Sequence, residues 1–247
     1  MQRIGLKISL GRMSVYIKVI ASFVRECIIR LKLLGRKGQP ILIFGLPKSG
    51  STLLEYMCVI LTKAESVMPW TISVYELLAG ESHSYVLKQS VLKRYKDKPA
   101  VLKVHSAPNG RVIKHALDMK YRIVILSRDL NDVAKSYIHY VSNTPYHTDY
   151  SLFKEVNEDS NIELWNSIYR NDYQNWINSW SRYSKENNFL NIDYADLRDK
   201  KEEVIQILTD YIDLQLDDEI LIEILRKTSK EAMSNMFVQK EFFNRDK

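Results

Sequence analysis

The stretch Pro40–Leu54 reads PILIFGLPKSGSTLL, and it decides the fold class of this chain. It opens with ILIF at 41–44, where three of the four residues are β-branched or aromatic, a pattern typical of a buried strand in a parallel sheet. GLPKSG at 45–50 is rich in glycine and proline, and a helical pattern then runs from Thr52 to Lys63. A strand, a glycine loop and a helix start, in this order, direct backbone N–H groups and a helix dipole at one phosphate. The sequence therefore predicts an anion-binding loop.

Composition allows one large α/β domain or two small ones in 247 residues. Hydrophobic residues make up 45% and charged residues 27%, which is ordinary for a globular protein. The formal net charge of +6 suits an anionic ligand, nucleic acid or an anionic membrane. Because the chain has no aromatic–basic RNA-binding signature and no dense basic tail, we do not expect nucleic acid as a partner.

The chain has two cysteines, Cys27 and Cys58, which argues against a disulfide framework. It contains no ligand pair of the C-x-x-C or H-x-x-x-H kind, so we expect no metal site. It also lacks an N-x-[ST] sequon with an allowed middle residue. Together these features favour a reducing, cytoplasmic compartment.

Residues 1–38 form a basic, partly amphipathic N-terminal extension, in which Met13–Leu34 is predicted to be one helix. Basic residues interrupt its apolar run, and a membrane-spanning helix needs ~20 mostly apolar residues, so we expect none here. The segment has no apolar region followed by a small-residue cleavage site, so we expect no signal peptide. We expect the helix to pack on the domain. The alternative is a helix on an anionic membrane surface, giving peripheral membrane contact. The apolar residues near one face are Ile17, Ile20, Val24, Ile28 and Leu31.

Further strands are predicted at Ala100–Val104, Tyr121–Leu126 and Phe189–Ile192. Strands that alternate with helices indicate a three-layer P-loop-type α/β fold, with a central parallel sheet flanked by helices, and residues 39–247 as a single domain. Ligands of such sheets bind beyond the carboxyl ends of the strands. Three of the strand ends are followed by Lys48, His105 and Arg128. We therefore expect these residues at the same edge of the sheet, which we call the rim.

Helical patterns fill most of the remaining chain. The polar stretch Asn143–Ser160 interrupts them and predicts a long loop, and long loops in compact domains are often functional. The predicted helices are Ile72–Leu78, Ser84–Tyr95, Arg111–Leu117, Leu130–Tyr140, Asn161–Ser184, Leu197–Leu214 and Glu219–Met233.

The glycine loop departs from the Walker A pattern G-x-x-x-x-G-K-[ST], in which the lysine follows the second glycine. Gly45 and Gly50 keep the spacing, but Ser51 stands at the lysine position and the lysine lies inside the loop, at Lys48. The pattern P-K-S-G-[ST]-T resembles the 5′-phosphosulfate loop of the sulfotransferases, which use 3′-phosphoadenosine 5′-phosphosulfate (PAPS). The resemblance implies that this loop binds the 5′ end of PAPS. The residues it assigns to that role are Pro47, Lys48, Ser49, Gly50, Ser51 and Thr52.

The segment RDLNDVAKS at 128–136 is similar to a second motif of that family. The resemblance implies that Arg128, after a strand, and Ser136, in the following helix, hold the 3′-phosphate. An arginine presents a planar fork that matches phosphate oxygens, and a serine adds a neutral donor. Without the resemblance, a surface Arg128 paired with Asp129 or Asp132 would explain the segment as well.

A third motif, Lys103-Val-His105, resembles the K-x-H sequence of cytosolic sulfotransferases. The resemblance implies that His105 is the catalytic base, which removes the proton of the acceptor as it attacks sulfur. It also implies that Lys48 neutralises the charge that grows on the bridging oxygen and that Lys103 helps to hold the sulfonate. Taken alone, a single histidine is more often a hydrogen-bonded structural residue.

Weaker similarities extend the resemblance to Tyr194 and Thr228, which it places near the adenine. The chain also departs from the family. Leu53 replaces a tryptophan found in many cytosolic members, and Lys230 stands where the family often has phenylalanine. The late R-K-G segment of the family is missing, so we expect either a 3′-phosphate clamp with fewer residues than usual or substitution by Lys240 or Arg245.

The resemblance implies a PAPS-dependent sulfotransferase that moves a sulfuryl group to a hydroxyl or amine of a small-molecule acceptor, without a metal, and releases adenosine 3′,5′-bisphosphate. One alternative is a P-loop kinase or NTPase, which would need lysine at position 51 and an acidic Mg²⁺ partner at a strand end. The other is a non-catalytic, membrane-associated nucleotide binder that uses the basic N-terminal helix.

Overall fold

The structure is a computed structural model that describes residues 2–72, 87–145, 147–154, 157–187 and 189–235, with side chains described from residue 17 onwards except at 158 and 186. Its strands are β1 (Ile41–Gly45), β2 (Glu65–Val67), β3 (Ala100–Val104), β4 (Arg122–Ser127) and β5 (Leu190–Asp193). They form a five-stranded sheet in the order β2-β3-β1-β4-β5, and every pair of neighbours is parallel. The predicted α/β fold with a central parallel sheet is confirmed.

Helices flank this sheet. Those in the first half of the chain are α1 (Gln2–Lys32), α2 (Ser51–Thr62), α3 (Gln89–Tyr95), α4 (Gly110–Asp118) and α5 (Leu130–Ser142). Those in the second half are α6 (Tyr150–Phe153), α7 (Glu158–Asn187), α8 (Tyr194–Asp199), α9 (Lys201–Tyr211) and α10 (Asp218–Lys227).

Strand β1 lies at the centre of the sheet, and all of its residues are buried. Because alternate side chains of a strand face opposite sides, Leu42 and Phe44 join one apolar layer and Ile41 and Ile43 join the other. The first layer includes Trp180 of α7, whose ring centroid lies 4.2 Å from that of Phe44. Burial on both faces explains the uninterrupted apolar run, and each such side chain contributes ~1.5–3 kcal/mol to folding.

The register of the sheet aligns three strand ends. Phe44 of β1 pairs with Val104 of β3, and Gly45 pairs with Leu126 of β4. The segments that follow these strands therefore leave the sheet side by side. This is the rim on which the sequence places its candidate residues.

Strand β2 was not predicted. It has three residues at the edge of the sheet, where it pairs with β3, and only Val67 of them is buried. So short and polar a segment carries no hydrophobic period, because an alternating pattern needs about four to eight residues to stand out.

Two predicted helices are interrupted in the structure. Leu197–Leu214 is divided between α8 and α9 by Lys200, which has φ −128° and ψ 48°. Glu219–Met233 stops at Lys227, because Thr228 leaves helical geometry, and helix resumes at 230. Neither break contains glycine or proline, so the sequence gives no local stop signal.

The predicted loop Asn143–Ser160 is wrong in part, since it contains α6 and the start of α7. The helix predicted to start at Ser84 begins at Gln89 in the part of the chain that the structure describes. Residues 84–86 and most of the predicted helix Ile72–Leu78 lie outside the described residues. So do Lys240 and Arg245.

Helix α1 includes the predicted helix Met13–Leu34 almost to its end and packs on the domain through one face. Glu26, which is 2% exposed, accepts hydrogen bonds from the backbone N–H of Trp70 (2.7 Å) and the hydroxyl of Tyr95 (2.9 Å), and it pairs with Arg94. The packing expected from the sequence is thus present on this face. None of the described helices combines the length and the hydropathy that a membrane span requires.

Candidate functional site

The loop between β1 and α2 turns through two residues with positive φ, Lys48 at 65° and Gly50 at 92°. The N–H of Ser49 donates to the carbonyl of Leu46 at 3.1 Å and tightens the turn. Glycine reaches this backbone region without strain, whereas a residue with a side chain loses roughly 1–2 kcal/mol there. Gly50 is the N-cap of α2, so the loop presents the N–H groups of the first helical turn, which have no acceptor within a helix. Such a turn suits an anion.

The ring of Tyr194 closes one side of this loop. Tyr194 opens α8 directly after β5, and the carboxylate of Asp193 caps that helix by accepting from the N–H of Ala195 at 2.8 Å. The ring lies so close to Gly50 that a methyl group there would overlap with it. Position 50 therefore requires glycine both for its backbone conformation and for space.

Arg128 links β4 to the loop. Its Nη1 donates to the carbonyl of Lys48 at 2.8 Å, and its guanidinium lies 4.1 Å from the ring centroid of Tyr194. Its Nε is buried and has no hydrogen-bond partner in the part of the chain that the structure describes. Asp129, the neighbour that a surface pairing would use, instead caps α5 by accepting from the N–H groups of Asn131 and Asp132. A carbonyl and an aromatic face do not neutralise a guanidinium, so the positive charge remains at the rim.

The side chain of Lys48 reaches the opposite wall of the site. Its Nζ lies 3.9 Å from the ring centroid of Tyr140 on α5, a cation–π distance. Ser136, which is half-buried, precedes Tyr140 by four residues on the same helix and therefore shares its face. The two basic residues thus meet at the loop, with one aromatic ring beside each.

His105 follows β3, and its Nδ1 lies 2.5 Å from the carbonyl oxygen of Gly45. Since a carbonyl only accepts, Nδ1 carries the proton of the neutral ring, and the lone pair is on Nε2. The backbone here is held by two indoles. Trp176 Nε1 donates to the carbonyls of His105 (2.9 Å) and Ser106 (3.0 Å), and Trp180 Nε1 donates to that of Ser106 (3.1 Å). The imidazole is therefore fixed both in tautomer and in position.

Lys103 lies deeper in the site, with 14% of its side chain exposed. Its Nζ donates to the hydroxyl of Thr52 at 3.0 Å and lies 3.3 Å from the carboxylate of Glu55. Glu55 also accepts a hydrogen bond from Ser66 at 2.6 Å. The charge of Lys103 is thus balanced by a carboxylate, and its ammonium group holds Thr52 in the first turn of α2.

An aromatic cluster extends the site beyond Tyr140. The ring of His147 lies edge-on to Tyr137 and Tyr140, at 5.8 and 5.7 Å between centroids, and its Nε2 is buried without a hydrogen-bond partner. The hydroxyls of Tyr137 and Tyr169 both donate to the carboxylate of Asp149. Burial, assisted by these hydrogen bonds, raises the pKa of Tyr169 to about 12 and also raises that of Tyr137. Both phenols therefore remain donors at neutral pH.

Thr228 is placed differently from the other candidate residues. It is 1% exposed at the end of α10, and its hydroxyl donates to the carbonyl of Ile224 at 2.7 Å. Its own carbonyl accepts from Lys201 Nζ at 2.6 Å, and burial lowers the pKa of that lysine. The hydroxyl of Thr228 is thus already hydrogen-bonded within its own helix.

The described contacts bring together the loop 47–52, Lys103, His105, Arg128 and Tyr194, whereas they do not join Ser136 or Thr228 to the loop. Sequence reasoning missed the role of Tyr140 beside Lys48 and that of the indoles behind His105. A signal was present in both cases. Ser136 and Tyr140, like Trp176 and Trp180, are four residues apart, a spacing that puts them on one helix face.

Comparison with protein families gives one assignment: the sulfotransferase domain family matches residues 39–244. Sulfotransferase 1A1 of Bos taurus is 29% identical over 143 residues, which cover 56% of this chain and 46% of the bovine protein. Sulfotransferase 2A6 of Mus musculus is 27% identical over 207 residues, which cover 80% of this chain and 67% of the mouse protein. The chain spans about half the length of the 1A1 relatives that it matches.

Two solved structures share the fold. Mouse sulfotransferase SULT7A1, complexed with PAP, superposes with a TM-score of 0.57 at 18% identity over 83% of this chain and 69% of its own. Retinol dehydratase, in complex with androsterone and the inactive cofactor PAP, gives a TM-score of 0.56 at 16% identity over 84% of this chain and 71% of its own. At these identities the likeness establishes the fold alone.

Proposed function

Because the chain belongs to the sulfotransferase family, we propose that it transfers a sulfuryl group from PAPS to a hydroxyl or amine of a small-molecule acceptor. The observation that carries the proposal is the contact between Arg128 and the backbone of Lys48. It joins the two basic residues that would bind opposite ends of one nucleotide. The proposal requires no metal.

The donors around the loop fit an anionic ligand. The loop offers helix N–H groups and a lysine. Among the described residues, the Arg128 guanidinium contacts the Lys48 carbonyl and the Tyr194 ring, both uncharged, and its buried Nε has no hydrogen bond. We assign the 5′ end of PAPS to residues 47–52 and its 3′-phosphate to Arg128 and Ser136. PAPS supplies the sulfuryl group and leaves as adenosine 3′,5′-bisphosphate (PAP). The presence of PAP in the two solved structures described above supports this donor.

The adenine would lie beside Tyr194, whose ring is already in contact with both Gly50 and Arg128. Thr228 has less support in this role, because its hydroxyl already donates a hydrogen bond to the carbonyl of Ile224. Androsterone in one of the related structures supports a small-molecule acceptor. The aromatic cluster of Tyr137, Tyr140 and His147 is the surface that we assign to the acceptor.

His105 is the proposed general base. Its Nε2 lone pair would accept the proton of the attacking hydroxyl or amine, a contribution of ~10²–10⁴ to the rate. The hydrogen bond to Gly45 keeps that nitrogen unprotonated in the neutral ring and directs it away from the carbonyl. As the acceptor loses its proton, positive charge on the ring is stabilised by the same carbonyl.

In this proposal two lysines act on the negatively charged groups of PAPS. Lys48 sits in the loop and places a positive charge where negative charge develops on the departing 5′ side. Lys103 would help to hold the sulfonate, and its ammonium also fixes the hydroxyl of Thr52. Because Glu55 offsets its charge, we expect Lys103 to act more by orientation than by net charge.

The test measures binding of PAP and of adenosine 5′-monophosphate, which differs from PAP only in lacking the 3′-phosphate, by calorimetry. We expect wild type to prefer the ligand with the 3′-phosphate, and Arg128→Ala to lose most of that preference, because a charged hydrogen bond contributes ~1.5–3 kcal/mol. Lys48→Ala should weaken the binding of both ligands and lower turnover. Equal affinity of wild type for both ligands, or tighter Mg²⁺-dependent binding of ATP, would overturn the proposal.

A further inference from the structure

Helix α1 leaves a row of large apolar side chains in solvent on the side opposite to its packed face. Exposed fractions reach 61% at Ile20 and 65% at Leu31. With ~100° of rotation per residue the row spans about 80°, and its centre lies about 170° from the buried residues Glu26, Ile29 and Leu33. We call this row the outer face. Its residues are Ile17, Ile20, Val24, Ile28 and Leu31.

Basic residues border the outer face on both sides. By the same helix geometry Lys18 and Arg25 lie along one border and Arg30 along the other, and all three are exposed. The one acidic residue of residues 1–38, Glu26, is buried against the domain. An apolar row between two basic borders is the pattern of a helix that lies in a membrane interface.

The charge of the whole chain is concentrated in this segment. Residues 1–38 contain 9 of the 36 basic residues and 1 of the 30 acidic ones, a net charge of +8. The other 209 residues contain 27 basic and 29 acidic residues, a net charge of −2. The segment also lies outside residues 39–244, which match the family. The positive charge is therefore a property of the helix that carries the outer face, and not of the nucleotide-binding domain.

A cavity of about 490 Å³ opens at the carboxyl end of the outer face, between α1 and α3. Its walls combine leucines with three basic side chains, Arg30, Arg94 and Lys98. Arg94 is paired with Glu26, and Lys98 donates to the carbonyl of Arg36 at 3.4 Å. The cavity thus places basic side chains beside an apolar wall, which suits an anionic headgroup on a lipid.

We propose that the outer face of α1 docks the protein on an anionic lipid bilayer. A second copy of the chain would also cover the apolar row, but it would bring an equally positive segment against the first, and like charges repel. An anionic bilayer satisfies both parts of the surface, since the acyl region takes the apolar row and the headgroups pair with the basic borders. The inference does not depend on the proposed catalytic activity.

The test is sedimentation of the full chain with vesicles of phosphatidylcholine alone or with about 30% phosphatidylserine. We expect binding to the anionic vesicles, which raising the salt from about 0.1 M to about 0.5 M weakens. The triple variant Ile20→Ser, Val24→Ser, Ile28→Ser should lower the partition coefficient about tenfold or more. The double variant Arg25→Gln, Arg30→Gln should lower it about 25-fold, since each surface charge is worth about fivefold.

The matched control changes three exposed isoleucines elsewhere on the domain, in Ile168→Ser, Ile207→Ser, Ile222→Ser. This control should bind vesicles like wild type, and the melting temperature should be the same in all variants, which shows that they are folded. Equal binding to neutral vesicles, or full binding by the outer-face variant, would overturn the proposal. So would a dimer in solution, without lipid, that the outer-face variant abolishes.

Discussion

The Nδ1 atom of His105 lies 2.5 Å from the carbonyl oxygen of Gly45, so the residue that ends β1 determines the tautomer of the histidine that follows β3. The two strands are neighbours in the sheet, and the contact needs no loop to adapt. A proton on Nδ1 leaves the lone pair on Nε2, where a base requires it. The parallel register thus connects the anion loop to the acid–base chemistry proposed for this site.

Replacing His105 by glutamine tests this role. We expect His105→Gln to reduce turnover by ~10² or more, because glutamine cannot accept the proton, while PAP binds almost as in wild type. Turnover is measured with radiolabelled PAPS and an acceptor found by screening hydroxyl and amine compounds. The control is His115→Gln on α4, which should not change the rate. Wild-type turnover in His105→Gln would remove this histidine as the base.

The second prediction concerns Trp176, whose indole N–H donates to the carbonyls of His105 and Ser106. Trp176→Phe keeps an aromatic ring but loses the donor, and one hydrogen bond is worth ~0.5–1.5 kcal/mol. If that energy positions the base, kcat should fall about two- to tenfold, with the PAP dissociation constant unchanged.

Trp165→Phe is the matched control for this change. Trp165 is equally buried on α7, but its Nε1 has no hydrogen-bond partner among the described residues, so removing the N–H should leave kcat as it is. A purely structural role of Trp176 predicts instead that Trp176→Phe lowers the melting temperature through its lost hydrogen bonds and leaves kcat unchanged. Comparison of kcat with the melting temperature separates the two outcomes.

The rim could be predicted from the sequence, whereas the partners of its residues could not. Buried strands have a recognisable pattern of apolar residues, and Lys48, His105 and Arg128 each lie within three residues of the end of such a strand. Strand β2 has no such signature, because only Val67 of its residues is buried. The pairing of Lys103 with Glu55 depends on how α2 lies on the sheet, which no local pattern encodes.

The same limit applies to the aromatic residues. Trp165 and Trp176 are both buried, and the indole of Trp176 holds the backbone behind His105, a contact that the sequence does not predict. Tyr140 meets the side chain of Lys48, one of the proposed catalytic residues. The face of a helix can be calculated from spacing, but what that face meets is decided by tertiary packing.

Gly50 should tolerate no side chain. Gly50→Ala places a methyl group at φ 92° and against the ring of Tyr194, so we expect a larger loss of stability than the ~1–2 kcal/mol of the backbone strain alone, together with loss of PAP binding. Gly35→Ala is the control for the strain, because φ there is 73° and nothing lies within 4 Å of the added carbon. Chemical denaturation measures both.

The contribution of the ring can be separated from that of the backbone by adding Tyr194→Ala. If overlap with the ring causes part of the loss, the double variant with Gly50→Ala should be more stable than the sum of the two single losses predicts. Strict additivity would mean that Tyr194 does not press on the loop and that strain at position 50 accounts for the whole effect.

The tyrosines on Asp149 predict a loss of stability at alkaline pH. Burial raises the pKa of Tyr169 to about 12, whereas in the unfolded chain a tyrosine titrates near ~10. Tyr169 keeps its proton in the folded state at pH values where the unfolded chain has lost it, so this part of the stability is fully present below pH ~10 and disappears as the pH rises toward about 12.

Tyr169→Phe removes one titrating group, and the free energy of unfolding should then fall less steeply between these pH values. Guanidinium denaturation of wild type and of Tyr169→Phe at a series of pH values provides the slopes. Equal slopes in the two proteins would show that the phenol of Tyr169 ionises alike in the folded and unfolded states and does not depend on Asp149.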